Sequence, residues 1–108
     1  MILVQTNKTI RVLNLHDNEI GEAGMLPLGD ALKENSTIRV LNLSRNEFGN
    51  QGMVPLCDAL KANETLLRVD VSGNDAITIK GAELLARAVM GRKVMMEEFS
   101  GIPVKALL

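Results

Sequence analysis

The sequence has no tryptophan and no tyrosine, and only two phenylalanines in 108 residues. A core built from it is aliphatic, and two of the three residue types that dominate protein-binding hot spots are missing. Its single cysteine excludes a disulfide framework and a cysteine-clustered metal site. The lone histidine, His16, stands beside Asp17, and two such groups are too few for a zinc site. No charge of one sign prevails: 12 basic against 13 acidic residues leave a net charge of −1. That excludes the basic face of a nucleic-acid binder and the polybasic patch of a protein held on anionic lipid. No stretch approaches the ~20 apolar residues of a membrane span, and Met1-Ile2-Leu3-Val4 is too short for a signal-peptide core. There is no acid–base pair, no activated nucleophile and no Walker pattern. These lacks predict a small cytoplasmic domain that is not an enzyme and carries no cofactor or metal.

What the sequence does have is repetition. Residues 10–37 and 38–65 align without a gap, identical at 19 of 28 positions. A third copy over 66–94 needs one inserted residue between Asn74 and Gly81. Residues 1–9 match the tail of a repeat whose front is missing, and 95–108 hold a degenerate strand, Phe99-Ser100-Gly101-Ile102, stopped at Pro103. Within a unit, Leu13 and Leu15 alternate with Val12, Asn14 and His16, the period of a strand with one buried face. Met25, Leu28 and Leu32 then recur at spacings of three and four, the stripe of an amphipathic helix. Pro27 belongs in a first turn, so the spacing predicts a helix beginning near Ala23 or Gly24. Asn35 and Gly91 are the expected C-caps, Asn35 in the left-handed conformation. A strand, a crossover helix and another strand every 28 residues give an α/β solenoid with right-handed crossovers, stacked because one unit cannot bury its own apolar face.

The pattern L-x-x-L-x-L-x-x-N-x-(I/F)-G-x-x-G-M-x-x-L-x-x-A-L resembles the ribonuclease-inhibitor-like class of leucine-rich repeats. Ile10, Leu13, Leu15, Asn18, Ile20, Gly24, Leu28 and Leu32 stand on its positions, and Ile38, Leu41, Leu43, Asn46, Phe48, Gly52, Leu56 and Leu60 repeat them. The resemblance implies a short horseshoe, with a parallel sheet on the concave face and helices on the convex one. It implies that Asn18, Asn46 and Asn74 are buried and satisfy backbone groups of the turning loop. It also implies a partner site on the concave face, though the family spans ribonuclease inhibitor, tropomodulin-type actin cappers, Ran GTPase activators and NOD-like receptors.

Strand parity places the outward side chains in rows about 4.8 Å apart: Val12, Val40 and Arg68; Asn14, Asn42 and Asp70; His16, Ser44 and Ser72, with Asp17 and Arg45 beside the last. These residues are the candidate partner-binding surface, Arg45 and Arg68 being its large anchors. The expected partner is another protein, not nucleic acid or membrane, and the chain reads as a fragment or minimal version of a longer repeat array. Two alternatives use the same residues differently. In one, two copies associate through uncapped ends, with Met95, Met96, Phe99, Ile102, Leu107 and Leu108 as candidates. In the other, Arg45 acts on a GTPase. Asn74–Lys80, with its extra residue, is a register adjustment or a small contact site. Cys57 reads as a small buried hydrophobe, and the GxxG stretches 21–24 and 49–52 as turns rather than phosphate loops. The Asn-x-Ser/Thr spellings at 7, 35, 42 and 63 read as structure rather than glycosylation sites.

Overall fold

The computed structural model describes residues 7–92, 94 and 96–102. Four short strands alternate with three helices: β1 (Val12–Asn14), α1 (Gly21–Glu34), β2 (Val40–Asn42), α2 (Asn50–Ala62), β3 (Arg68–Asp70), α3 (Ile79–Met90) and β4 (Glu98–Ser100). The strands form one open parallel sheet in sequence order, with Val12, Val40, Arg68 and Glu98 in register, then Leu13, Leu41, Val69 and Phe99, then Asn14, Asn42, Asp70 and Ser100. α1 packs on α2 and α2 on α3, a second layer behind the sheet. Of the rows read from strand parity, Val12, Val40 and Arg68 and Asn14, Asn42 and Asp70 are in register in the sheet, while His16, Ser44 and Ser72 lie just past the strand ends.

The core between the layers is aliphatic. Met25, Leu28, Leu32, Ile38, Leu41, Leu43, Met53, Leu56, Leu60 and Leu66 are wholly buried, with Phe48 as the aromatic plug of the second turn. Of the 74–80 loop, Ile77 joins this core while Ala76 and Ile79 stay exposed. The first repeat departs from its neighbours. Ile10, Leu13, Leu15 and Ile20 are only partly buried.

Three local expectations need correction. α1 begins at Gly21, which leaves Pro27 in its second turn, and Pro55 is likewise interior to α2. The carbonyls they leave without an i→i+4 donor belong to Ala23 and Gln51, both exposed to water, so the usual penalty is softened. Asn35 and Asn63 do end their helices, but in extended conformation (φ −79° and −85°) rather than left-handed. Their side-chain oxygens instead hold the loop that follows: Asn35 Oδ1 accepts from Thr37 and Ile38 amides, Asn63 Oδ1 from those of Thr65 and Leu66. Gly91 ends α3 in right-handed conformation. β4 stops at Gly101 (φ +96°), ahead of Pro103, which lies outside the described residues.

Candidate functional site: the concave sheet face

The outer face of the sheet is built on Asx turns. Asn14, Asn42 and Asp70 each turn a side-chain oxygen onto the amide two residues on, at His16 (3.2 Å), Ser44 (2.9 Å) and Ser72 (2.8 Å). The hydroxyls of Ser44 and Ser72 bond the same oxygens. Among the described residues these turns leave the carboxamide NH2 groups of Asn14 and Asn42 without partners, directly in register and facing out. Beyond them the chain turns through left-handed residues, Asp17 (φ 57°), Arg45 (φ 53°) and Gly73 (φ 73°). A methyl group at Gly73 would strike Arg45 Cγ, so the arginine stem lies over the glycine of the next repeat.

The structure brings His16, Asp17 and Arg45 together. Asp17 Oδ2 lies 2.9 Å from His16 Nδ1 and accepts from Arg45 Nη2 at 2.8 Å. The His16 hydrogen bond, with help from Arg45, holds the Asp17 carboxyl below its usual range. Arg68 is similarly engaged, its Nε donating to Glu97 at 3.2 Å. All these groups are half exposed, so the pairs are weak and exchangeable. Between β2, β3 and β4 the face sinks into a hollow of about 180 Å³ lined by Val40, Asn42, Arg68, Asp70, Glu98 and Ser100. Glu98 and Ser100 were missed from the sequence, although continuing the strand parity into Glu98-Phe99-Ser100 would have placed them.

A larger groove, about 320 Å³, runs between α2 and α3 past Val54, Lys80, Leu84 and Arg87. One wall is Asn50, whose Oδ1 accepts from the amides of Thr78 and Gly81 and so holds the start of α3. The concave hollow is the better candidate despite its size, because its polar groups retain unused donors.

The self-association candidates divide. Ile102 is buried, and Met96 and Phe99 pack against the core, Phe99 paired with Val69 in the sheet. Ile102 serves the interior of its own chain, while Met96 and Phe99 are only partly buried. Met95, Leu107 and Leu108 lie outside the described residues. Among the described residues there is no group of three or more His, Cys, Asp or Glu side chains placed to hold a metal ion, and no helix long and apolar enough to cross a membrane.

The buried asparagines join the repeats. Asn46 Nδ2 donates to Leu15 and Ser44 carbonyls, and its Oδ1 accepts from the Asn18 and Ile20 amides of the repeat before. Asn74 joins the next pair in a similar way, accepting from the Asn46 and Phe48 amides and donating to the Leu43 and Val71 carbonyls. Asn18, expected to be buried with them, is exposed instead. A family profile described as "Leucine Rich repeat" matches residues 6–29, 34–57 and 62–86, well over half of the chain.

The chain belongs to the leucine-rich-repeat family. Its fold is similar to that of a solved structure titled "Leiomodin-1 Actin-Binding Site 2 (ABS2)", with a TM-score of 0.82 and 22% identity. The likeness covers 94% of this chain and 62% of that one. No curated protein matches the sequence.

Proposed function

We propose that this leucine-rich-repeat chain is a non-catalytic scaffold that binds another protein on its concave face, through Val12, Asn14, His16, Asp17, Val40, Asn42, Ser44, Arg45, Arg68, Asp70 and Ser72. The observation that carries the reading is the in-register row Asn14–Asn42–Asp70–Ser100, whose two carboxamides present free donors beside a hollow. Arg45 and Arg68 flank that row in exposed ion pairs, which a partner's carboxylates can replace without leaving a buried charge. The similar fold belongs to an actin-binding site, which makes actin a defined first probe.

The test is titration of immobilised chain with actin, and capture from a lysate for other partners. The Arg45→Glu/Arg68→Glu double variant is compared with a helix-face control, Gln51→Glu. Binding that weakens at least about tenfold in the arginine variant and not in the control is the expected result. Capture that is the same for both variants removes the concave face as the site.

A further inference from the structure

The helix layer has an outer surface of its own, and the third repeat departs there from the first two. Aligned across the inserted residue, Leu84 stands where α1 and α2 have Pro27 and Pro55, Lys80 where they have Ala23 and Gln51, and Arg87 where they have Asp30 and Asp58. The three changed positions fall at spacings of four and three along α3, so they share one face of it. All three line the groove of about 320 Å³ between α2 and α3, with Gln51 and Val54 opposite. Val54 is one of the large apolar side chains left exposed, and Leu84 is only partly buried. Among the described residues neither Lys80 nor Arg87 has a carboxylate within ion-pair distance, Glu83 included. Pro55 also leaves the Gln51 carbonyl, on the other wall, without its i→i+4 donor. A second groove, between α1 and α2, shares Gln51 and Val54 but differs in charge. Its charged wall residue is Glu22, already bound to the Gly49 and Gly52 amides.

We propose that the α2/α3 groove docks an amphipathic helix of another protein, whose apolar side chains enter between Val54 and Leu84 and whose carboxylates, a turn to either side, meet Lys80 and Arg87. Charge selects the acid. The α3 wall carries two unpaired cations against the single Glu83, and the cations bracket the apolar contact at Leu84. Spacing selects the helix. Lys80 and Arg87 are seven residues apart, a rise of about 10.5 Å along α3. A partner helix lying in the groove presents carboxylates at i and i+7 with that same rise, and an apolar side chain at i+3 or i+4 between them. An extended segment covers the distance in about three residues, which turns its first and last side chains to opposite sides. An apolar seam seated in a groove and flanked by matching charges is a common mode of helix recognition. The proposal is independent of the concave-face reading, since the helices lie behind the sheet and both surfaces can be occupied at once.

Two synthetic helical peptides test it, alike in a seam of leucines and differing in the flanking charges, glutamate in one and lysine in the other. Titrated into the isotope-labelled chain, the glutamate peptide should bind with a Kd below about 1 mM and move the resonances of Val54, Leu84 and Arg87. The lysine peptide should bind at least about tenfold more weakly, and raising the salt from about 0.05 M to about 0.5 M should narrow that difference. Lys80→Glu/Arg87→Glu, at two exposed positions, should invert the preference. Circular dichroism checks that this variant is folded, and the unaltered chain with the two peptides carries the test if it is not. Arg45→Glu/Arg68→Glu should change neither affinity, which separates this groove from the concave face. Equal binding of the two peptides, shifts confined to the concave face, or no shift at Val54 and Leu84 up to about 1 mM peptide overturns the proposal. So does a glutamate peptide that is not helical when bound, which would make the occupant an extended segment. Groove resonances that move with chain concentration alone would put a second copy there and overturn it as well.

Discussion

Gly29 and Cys57 hold the same place in successive helices, and their neighbours account for the difference. A Cβ at Gly29 would lie 2.7 Å from the Pro55 carbonyl oxygen, so α2 can approach α1 only over a glycine. Position 57 has room for a thiol, and Cys57 is 3% exposed. Burial, with a smaller contribution from Asp58, pushes that thiol up to about 12 from an ordinary 9.0. The folded chain therefore keeps its proton where the unfolded chain would lose it. This fixes the sign: Cys57 is neutral to stability below about pH 9 and penalises the fold as pH rises from 9 toward 12. The stability advantage of the parent over Cys57→Ala should shrink over that window in chemical denaturation. At pH 8 the native thiol should alkylate at least about a hundredfold more slowly than in denaturant, because the thiolate is the nucleophile. Equal rates would place Cys57 at the surface.

The alternation of strands and helices was legible in the sequence because each element carries its own period. Leu41 and Leu43 face in while Val40 and Asn42 face out, and Met53, Leu56 and Leu60 line one side of α2. The ends of the elements were less legible. Pro27 reads as a first-turn residue if every helical carbonyl must find an amide, whereas Ala23 stands in water and needs none. The asparagine caps were misread in conformation for a related reason, since a side-chain carboxamide in an extended residue can satisfy the next loop without a left-handed turn. Glu22 and Asn50 were invisible as caps because the amides they serve lie 27 to 31 residues ahead. Their role predicts a measurable effect. Glu22→Ala should destabilise the chain by about 1 kcal/mol, the usual cost of a lost N-cap. Glu22→Gln, which keeps an oxygen for the Gly49 and Gly52 amides, should recover about half of that. Thermal unfolding of the pair checks both, and no loss in Glu22→Ala would show that water caps α2 equally well.

Across the whole molecule the repeats are tied by two side-chain ladders, one at each end of the strands. Asn7, Asn35 and Asn63 form the first, with Asn63 Nδ2 reaching back to Leu32 and Asn35 carbonyls. Arg92 closes it by donating to the Asn63 carbonyl at 2.8 Å, and burial lowers the pKa of its guanidinium. Asn18, Asn46 and Asn74 form the second. The outward rows of the candidate site were legible because parity alone fixes them. The lesser burial of the first repeat was not, because Ile10-Arg11-Val12-Leu13 and Ile38-Arg39-Val40-Leu41 are spelled identically, and among the described residues only the second has a strand before it. In a molecule of this kind stability is close to a sum of units and of nearest-neighbour interfaces. The second ladder then gives its members unequal weight. Asn46→Ala removes every side-chain bond that Asn46 makes to Leu15, Asn18 and Ile20, and leaves partly buried backbone groups unpaired. It should lower stability by about 2–3 kcal/mol. It should also let the amides of Leu13, Leu15 and Gly21 exchange ahead of those of Leu66, Val69 and Ile77. Asn18→Ala loses only bonds within its own exposed turn, so it should change stability by less than about 1 kcal/mol and leave the order of exchange intact. Native-state hydrogen exchange on the two variants distinguishes the cases. Equal losses, or uniform acceleration in Asn46→Ala, would mean that the repeats unfold as one indivisible unit and that the ladder couples no repeat in particular.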